Sequence, residues 1–451
     1  MTTAHETLKA QVRAARQATR ALAASSTATR NGALRALAAA LGERQDEVLA
    51  ANRKDVATAR KSRLDEHVVE RMMLNPRRVG EIARSVRDVA MLPDPVGEVI
   101  ESRMLPSGLR LERRRVPLGV IGVIYESRPN VTVDIAALCL KAGNAVILRG
   151  GREAFETNSR LAAITRDAIS SAGLPPDAVQ FVASTDRALV HAMLQMKDEI
   201  DLMIPRGGAE LVHMVAREAK MPAITGGVGV CHTYVDAAAD LDKAVRIVHN
   251  AKVQRPTVCN ALDTVIVNSG VADRFLPMLA SEFARSGVEM RCDPRSLRIL
   301  RAGVPSPSEG EGQGVGGRQL RRTSSTSSMT AGPVINPAAP DDFGQEFLAL
   351  VASIKTVDSL DEAMDFIARY GSGHSEAIVT EDTAAAERFL TEVDAAAVFS
   401  NASTRFNDGG EFGLGAEVAI STNKFHARGP MGLREITSYK WVVRGDGQVR
   451  G

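Results

Sequence analysis

The spacing of apolar residues predicts helices at the start of the chain. Residues 5–90 carry apolar side chains three and four positions apart, as Leu34, Leu37 and Leu41 illustrate. Positions with this spacing lie on one face of a helix, so the stretch predicts amphipathic helices. The period then changes to two between 97 and 117, on either side of a Pro-Ser-Gly turn. This alternation predicts a two-stranded hairpin.

Between 116 and 235, buried apolar runs alternate with helical stretches. An alternation of this kind predicts a parallel sheet with helices on both faces. The first strand, 119–124, is not followed by a Gly-x-Gly-x-x-Gly turn, so an ordinary Rossmann fingerprint is absent. A dinucleotide, if the chain binds one, is therefore held in another way.

In the second half of the chain, strand and helix patterns alternate in the same way, but one segment of different composition interrupts them. Helical patterns at 240–253 and 272–286 are followed by a stretch at about 305–333 that is rich in Ser, Gly, Thr and Arg. That composition cannot bury enough apolar surface to fold, which predicts a disordered surface insertion. Apolar strands and helices return after 343, and alternating Tyr439, Trp441 and Val443 predict a terminal strand that pairs with another.

Composition limits the classes of function. The 451 residues are too many for one compact core, and 56 Lys+Arg against 54 Asp+Glu leave no charge field for nucleic acid or an anionic membrane. The four cysteines have no paired spacing and no zinc-site pattern, which fits a reducing compartment and predicts no metal. Without a signal-peptide core or a spanning apolar run, we expect a cytoplasmic protein that acts on a small substrate. The alternative is an organelle transit peptide, since arginines stand among Ala and Ser between 13 and 35, but the apolar positions there continue into the long helical pattern.

One cysteine stands in a distinctive setting. Residues 253–264 run Val-Gln-Arg-Pro-Thr-Val-Cys-Asn-Ala-Leu-Asp-Thr, between a helical pattern and an apolar strand. A thiol that faces a cleft near backbone N–H groups has a lowered pKa and is a nucleophile, although a cysteine taken alone is more often a small buried residue. We interpret Cys139 and Cys231 in the second way and leave Cys292, beside the insertion, without a role.

The cysteine segment resembles the nucleophile segment of γ-glutamyl phosphate reductases, a branch of the aldehyde dehydrogenase superfamily, with Thr257 where glycine is expected. Five other motifs support the resemblance, and together in this order they are far more specific than any one alone. They are 123–132 (VIYESRPNVT), 148–151 (LRGG), 204–208 (IPRGG), 369–374 (RYGSGH) and 405–415 (RFNDGGEFGLG).

The resemblance covers the chain apart from the insertion and implies an α/β, aldehyde-dehydrogenase-like fold. Residues 1–98 and 117–229 would form a parallel-sheet NADP(H)-binding domain, and 230–433 an α/β catalytic domain. Residues 99–116 and 434–451 would form a small β flap for assembly into a homodimer or homotetramer.

The resemblance also implies catalytic roles. Cys259 would attack the substrate, and Asn130 would donate its side-chain amide to the oxyanion that develops. Position alone leaves open that Asn130 is a helix N-cap. Hydrolytic aldehyde dehydrogenases place a glutamate where this chain has Thr225, and threonine has little basicity near neutral pH. The thioester would then be exchanged with phosphate and not with water.

For the cofactor, the resemblance implies NADPH. Arg149 and Arg152 stand where the superfamily holds the adenosine ribose with a lysine and a glutamate, and arginine suits a 2′-phosphate. The alternative is that Arg152 only opens a helix and faces water. Gly207 and Gly208 would carry the pyrophosphate at a helix N-terminus, and Glu346 would bind the nicotinamide ribose.

The implied reaction is reduction of L-glutamyl 5-phosphate to L-glutamate 5-semialdehyde, in proline biosynthesis, with glutamate 5-kinase as the functional partner. Arg255, Arg405 and His426 are candidates for the substrate's carboxylate and phosphate, and the sequence does not rank them. Two alternatives stay open. A CoA-acylating aldehyde dehydrogenase also lacks the glutamate base, and a catalytically silent scaffold could keep the fold.

Overall fold

The computed structural model describes residues 3–224, 226, 228–302 and 332–450. The chain forms two compact units. The first consists of Met1–Val228 and Asp408–Gly451, and the second of Gly229–Asn407. The α/β architecture with parallel sheets confirms the predicted fold class.

The α-helices, in chain order, are α1 (Ala4–Ala24), α2 (Thr27–Glu43), α3 (Gln45–Lys61), α4 (Glu66–Met72), α5 (Pro76–Met91), α6 (Asn130–Lys141), α7 (Phe155–Ser171), α8 (Ala188–Leu194), α9 (Ala209–Glu218), α10 (Leu241–Val253), α11 (Ser269–Arg285), α12 (Pro294–Ala302), α13 (Leu360–Tyr370) and α14 (Thr383–Glu392).

The strands are β1 (Val99–Met104), β2 (Arg110–Pro117), β3 (Val120–Tyr125), β4 (Ala145–Gly150), β5 (Val179–Phe181), β6 (Leu202–Arg206), β7 (Cys231–Val235), β8 (Leu262–Asn268), β9 (Glu289–Cys292), β10 (Val334–Pro337), β11 (Val351–Val357), β12 (Ser375–Val379), β13 (Ala397–Ser400), β14 (Ala419–Ser421), β15 (Gly429–Met431) and β16 (Thr437–Arg444).

The N-terminal helices of the first unit follow from local signals. Helix α1 begins at a capping box in which the Thr3 hydroxyl accepts from the Glu6 N–H and the Glu6 carboxylate accepts from the Thr3 N–H. Leu8, Val12 and Leu22 line its buried face. The helical period of residues 5–90 therefore predicts the structure correctly, and these helices pack into the core of the unit.

The core of the first unit is a four-stranded parallel sheet in the order β5-β4-β3-β6. All residues of β3 and β4 are buried, as expected for central parallel strands covered on both faces. The carboxyl ends of β3, β4 and β6 meet at one edge, because Tyr125 is paired with both Gly150 and Arg206. That edge positions Asn130, Arg149 and the Gly207-Gly208 turn.

The predicted hairpin and terminal strand form one antiparallel sheet, β1-β2-β16. Arg113 on β2 lies opposite Trp441, and its guanidinium lies 5.0 Å from the ring centroid of Tyr439 and 5.8 Å from that of Trp441. Glu112, on the other face, is buried and accepts hydrogen bonds from Arg114 and Arg444. Each arginine of the basic run 113–115 therefore has an acidic partner nearby, Glu101, Glu112 or Glu98.

The second unit is built on a seven-stranded parallel sheet in the order β10-β9-β11-β8-β7-β12-β13. Central strands β7 and β8 are wholly buried. The carboxyl end of α10 leads to the amino end of β8 through the segment that contains Cys259. The nucleophile segment is thus anchored at both ends in the core of this unit.

The C-terminal limit of the second unit lies at Asn407. Residues 408–433, which the resemblance places in the catalytic domain, are part of the first compact unit. The reason is packing: β14 pairs with β15, and Val418, Met431 and Leu433 lie in the core of the first unit. The predicted insertion lies almost entirely outside the described residues, since 303–331 are not described. Among the described residues, no helix is long and apolar enough to cross a membrane.

Candidate active site

The candidate nucleophile lies on a tight turn between a helix and a strand. Helix α10 ends at Val253, and Pro256 follows within three residues, which disfavours further helix. The Ala261 N–H donates to the Val258 carbonyl at 3.0 Å, closing a turn around Cys259. The Cys259 side chain is half-buried, while the adjoining strand β8 is fully buried. The turn therefore keeps one thiol accessible on a rigid base.

Hydrogen bonds from several segments fix this turn. The buried side chain of Asn260 donates to the Asn407 carbonyl at 2.9 Å, and the Thr404 hydroxyl donates to the Asn260 carbonyl at 2.9 Å. The Cys231 thiol donates to the Cys259 carbonyl at 3.2 Å. Polar groups thus hold the main chain at Cys259 and at the residue after it, which limits how far the thiol can move.

Two residues at the start of the second unit lie against the main-chain carbonyl of Cys259. Burial raises the pKa of Cys231 well above its usual value, so this thiol stays neutral and acts as a donor. A Cβ atom added to Gly229 would overlap the carbonyl of Cys259. The close approach of the two main chains therefore requires glycine at this position.

Asp263, on β8 below the turn, links three segments. Its carboxylate accepts the N–H of Cys231 at 3.3 Å and the N–H of Phe347 at 3.1 Å, and Lys252 Nζ lies 3.6 Å away. Burial raises the pKa of Asp263 to about 6, against the opposing effect of Lys252. Lys252, which is also buried, donates to the Ala349 carbonyl at 3.1 Å. The pair therefore sets the position of the segment that carries Glu346.

Glu346 lies at the entrance to β11 and is half-buried. Its carboxylate accepts the Gly229 N–H at 3.0 Å. Burial raises the pKa of Glu346 to about 7, the Gly229 N–H lowers it, and the nearby Asp263 raises it further. The structure thus places Glu346 and the Cys259 turn against the same residue, Gly229.

The two candidate substrate arginines of the second unit differ in their surroundings. Arg405 is half-buried, and its Nε donates to Gln254 Oε1 at 2.7 Å, just before the nucleophile turn. Arg255 is exposed, three residues before the turn begins at Val258. The structure therefore brings both arginines to the nucleophile segment, with Arg405 held more firmly.

In the first unit, Asn130 is the first residue of α6 and is not its cap, because Pro129 occupies the cap position. The Asn130 side chain instead donates from Nδ2 to Oδ2 of Asp134 at 2.8 Å. Burial raises the pKa of Asp134 to about 6, whereas Asn130, Ser85 and Arg206 lower it. The N-cap alternative for Asn130 is thus not what the structure shows.

The two candidate cofactor arginines have contrasting environments. Arg149, at the end of β4, is 8% exposed and donates to the carbonyls of Gly150 at 3.1 Å and Thr185 at 3.2 Å. Its Nε is buried and has no hydrogen-bond partner among the described residues. Arg152 is exposed at the start of a 3₁₀ turn. The neighbouring Glu153 accepts from the N–H and the hydroxyl of Ser127 at 2.5 Å and 3.0 Å.

The Gly207-Gly208 turn opens helix α9 as predicted. The Gly208 N–H donates to Glu126 Oε2 at 3.1 Å, and a side chain at Gly207 would overlap the same carboxylate. A phosphate bound at this helix start would compete with Glu126, because two anions cannot share the same N–H groups without strong repulsion.

The two remaining residues named from the sequence are His426 and Thr225. His426 is exposed, has a left-handed backbone with φ 72°, and bonds from Nε2 to the Glu435 carbonyl at 2.5 Å. Thr225 lies outside the described residues.

Among the described residues, no group of three or more His, Cys, Asp or Glu is arranged to hold a metal.

Four further residues shape these sites and were not predicted from the sequence: Asp134, Asp263, Glu126 and Gly229. Asp134 follows Asn130 by four positions in a helix, a spacing that predicts side-chain contact. Asp263, Glu126 and Gly229 gave no comparable signal, because their partners are distant in the sequence or are main-chain groups.

Comparison with known proteins gives consistent results. The sequence model of the aldehyde dehydrogenase family matches residues 2–297. The chain is 53% identical to a γ-glutamyl phosphate reductase of Chloroflexus aurantiacus, covering 98% of this chain and 99% of the relative. It is 51% identical to one of Dehalococcoides mccartyi, covering 98% of each.

A solved structure supports the same relationship. The crystal structure of a γ-glutamyl phosphate reductase from Thermotoga maritima superposes with a TM-score of 0.90 at 42% identity. The match covers 98% of this chain and 100% of that one. Both sequence and fold therefore agree over nearly the whole length.

Gly229→Ala tests the close packing below the nucleophile. The added methyl group should displace the Cys259 carbonyl, lower kcat and lower the free energy of unfolding by about 1–3 kcal/mol. Steady-state kinetics and thermal unfolding measure the two effects. The control is Gly42→Ala in α2, where an added Cβ meets nothing within 4 Å and should leave activity unchanged. Wild-type activity in Gly229→Ala would contradict the close approach.

Proposed function

We propose that this chain, which belongs to the aldehyde dehydrogenase family and within it to the γ-glutamyl phosphate reductases, uses NADPH to reduce L-glutamyl 5-phosphate. The products are L-glutamate 5-semialdehyde and phosphate. Reductases of this kind catalyse the second step of proline biosynthesis. The observation that carries the proposal is the identity of about half of all residues over nearly the full length of these reductases. The fixed turn around Cys259 supports it independently.

Cys259 carries the covalent chemistry in this proposal. Its thiolate sulfur attacks the acyl carbon, the carbon–oxygen bond to phosphate breaks, and phosphate leaves with the bonding electrons. The acyl group is then a thioester on Cys259. After reduction, the thiohemiacetal collapses, the carbon–sulfur bond breaks, and the aldehyde leaves while the sulfur regains its electron pair. Because hydrogen bonds fix the main chain around Cys259, the sulfur stays in the same position while the thioester forms and the thiohemiacetal collapses.

Asn130 is proposed as an oxyanion donor, together with the Cys259 main-chain N–H. This role follows from the motif position, and the polar contact of the Asn130 amide supports it. A preorganised N–H is worth most where charge develops in the transition state, because it needs no reorganisation during the reaction.

The residues present fit a nicotinamide dinucleotide, which supplies a hydride when bound. Arg152 offers an exposed guanidinium, and Arg149 has a buried Nε without a partner among the described residues, so a 2′-phosphate would meet positive charge. Glu346 would accept from the nicotinamide ribose hydroxyls. The Gly208 N–H would hold the pyrophosphate after release of Glu126.

The substrate's two anionic groups need cationic partners. Arg405 is our first candidate because its Nε is fixed on Gln254, which leaves the end of the guanidinium in a defined direction. Arg255 is the second candidate, exposed four residues before Cys259. His426 is the weakest of the three, since one ring nitrogen is already bonded to the Glu435 carbonyl.

The β1-β2-β16 sheet is proposed as the surface for assembly into a homodimer or homotetramer. Tyr439, Trp441 and Val443 are each about half exposed, and β16 is an edge strand of its sheet. We further propose a cytoplasmic location, and glutamate 5-kinase as the functional partner that supplies the acyl phosphate.

Cys259→Ala tests the nucleophile. Turnover should fall by about 10⁴-fold or more, whereas folding and NADPH binding should persist, because the variant loses one sulfur at a half-buried turn. Initial rates, thermal unfolding and cofactor fluorescence measure the three properties. Cys292→Ala, at a buried cysteine of the same unit, is the control and should keep its turnover. Activity in Cys259→Ala, or loss only on replacing Cys139 or Cys231, would refute the assignment.

Arg152→Ala and Arg149→Ala test the choice of cofactor. Each charge-assisted contact is worth about 1.5–3 kcal/mol, so the double variant should lower kcat/KM for NADPH by roughly a hundredfold or more and affect NADH far less. Arg149→Ala should also lose stability, because two carbonyls lose their donor, but that loss affects both cofactors equally. Arg160→Ala, an exposed arginine on α7, is the control. An unchanged NADPH to NADH ratio in the double variant would refute the arginine account.

Glu346→Gln tests the ribose contact through its pH dependence. Burial raises the pKa of Glu346 to about 7, so the carboxylate that accepts from a hydroxyl forms as the pH rises through 7. At pH 8 the wild type should bind NADPH roughly tenfold more tightly than the variant. At pH 6 the difference in affinity should be less than about threefold. Protonation of the cofactor affects both proteins equally, so it does not change the ratio of their affinities. Equal differences at the two pH values would contradict the role.

A further inference from the structure

We propose that Asp134 is a positioning residue that fixes the side-chain amide of Asn130 for catalysis. The inference rests on the proposed function, since it assumes that Asn130 donates to the developing oxyanion. It adds a residue that the motif comparison did not single out.

The geometry of α6 brings the two side chains together. Asn130 and Asp134 are four residues apart and therefore lie on the same face of the helix. Asn130 Nδ2 lies 2.8 Å from Asp134 Oδ2, the length of a strong hydrogen bond to a charged acceptor. Pro129 fixes the entry into the helix, so the main chain of Asn130 is also restrained.

The chemistry of the pair selects one orientation of the amide. An amide group presents an oxygen that accepts and an NH₂ that donates two hydrogens, and it can turn over about its last side-chain bond. An ionised carboxylate only accepts, so it excludes the orientation that points the amide oxygen towards it. Asp134 thus takes one hydrogen of Nδ2 and leaves the second in a fixed direction.

The surroundings keep Asp134 in the acceptor form. Ser85 on α5 and Arg206 at the end of β6 both favour the charged carboxylate, and they offset part of the effect of burial. With a pKa of about 6, the group is mainly ionised near pH 7.5. Its Oδ1 is buried, and no hydrogen bond of normal geometry reaches it from the described residues.

That arrangement is unfavourable for stability alone. In this half-buried carboxylate, a buried oxygen without a hydrogen bond of normal geometry from the described residues costs free energy, and an apolar residue of similar size would avoid that cost. Ser85 and Arg206 offset part of the cost, and the hydrogen bond from Asn130 offsets a further part. This combination indicates a role in orienting the amide and not in holding the fold together.

The test is a double-mutant cycle of Asn130→Ala and Asp134→Leu. Asn130→Ala should lower kcat by about 10²–10³-fold. Asp134→Leu should lower kcat by roughly tenfold or more, with a much smaller change in KM, because the amide loses its fixed direction. In the Asn130→Ala background, Asp134→Leu should cost no more than about twofold further, since there is no amide left to orient.

A rescue variant and a matched control complete the design. Asp134→Asn keeps an acceptor oxygen but no longer excludes the wrong amide orientation, so its kcat should lie between those of the wild type and Asp134→Leu. Asp55→Asn alters another buried carboxylate of the first unit, which holds the start of α7 through the Thr157 N–H and hydroxyl. Asp55→Asn should change thermal stability. If it also lowers kcat, the double variant with Asn130→Ala should show the product of the two single losses, as expected for independent sites.

The outcomes separate the two proposals. Multiplicative losses in the Asn130–Asp134 cycle, or a wild-type kcat in Asp134→Leu while Asn130→Ala is impaired, would overturn the positioning role alone. A wild-type kcat in Asn130→Ala would remove the oxyanion role itself and would count against the proposed mechanism.

Discussion

The buried carboxylate of Asp263 is the point on which the geometry of the nucleophile depends. It accepts from the main chain of Cys231 and of Phe347, and Lys252 lies beside it at the end of α10. Three segments that are far apart in the sequence therefore meet at one carboxylate below the turn. A buried pair of this kind contributes little net stability in general, but removing one partner is costly because it leaves an unpaired charge.

This anchoring holds the turn that carries Cys259, the proposed nucleophile, in a fixed position. The thiol of Cys231 holds the carbonyl of Cys259, and Gly229 leaves no space between the two main chains. Gly229 also donates to Glu346, so the main chain below the nucleophile is the same one that positions the candidate ribose acceptor. The arrangement links the proposed nucleophile to the proposed ribose contact through one main-chain segment of the second unit.

Local patterns predicted the elements well, and tertiary contacts account for what they missed. The apolar runs of β3 and β4, the hairpin and helix α10 follow from periodicity and turn residues, which act over a few positions. The grouping of 408–433 with the first unit depends on packing of side chains such as Met431 in a distant core, which no local period contains. The resemblance points to Cys259 and Asn130, and helical spacing alone would place Asp134 beside Asn130, whereas the contacts of Asp263 follow only from the three-dimensional structure.

The central claim is that the acyl group on Cys259 is exchanged with phosphate. The most direct measurement is NADP⁺ reduction with L-glutamate 5-semialdehyde, the reverse of the proposed reaction, in buffer with and without inorganic phosphate and with CoA in its place. We predict steady turnover that depends on phosphate and is not restored by CoA. Undiminished steady turnover without phosphate would show release to water, and turnover supported by CoA would show a CoA-acylating enzyme; either result would contradict the account.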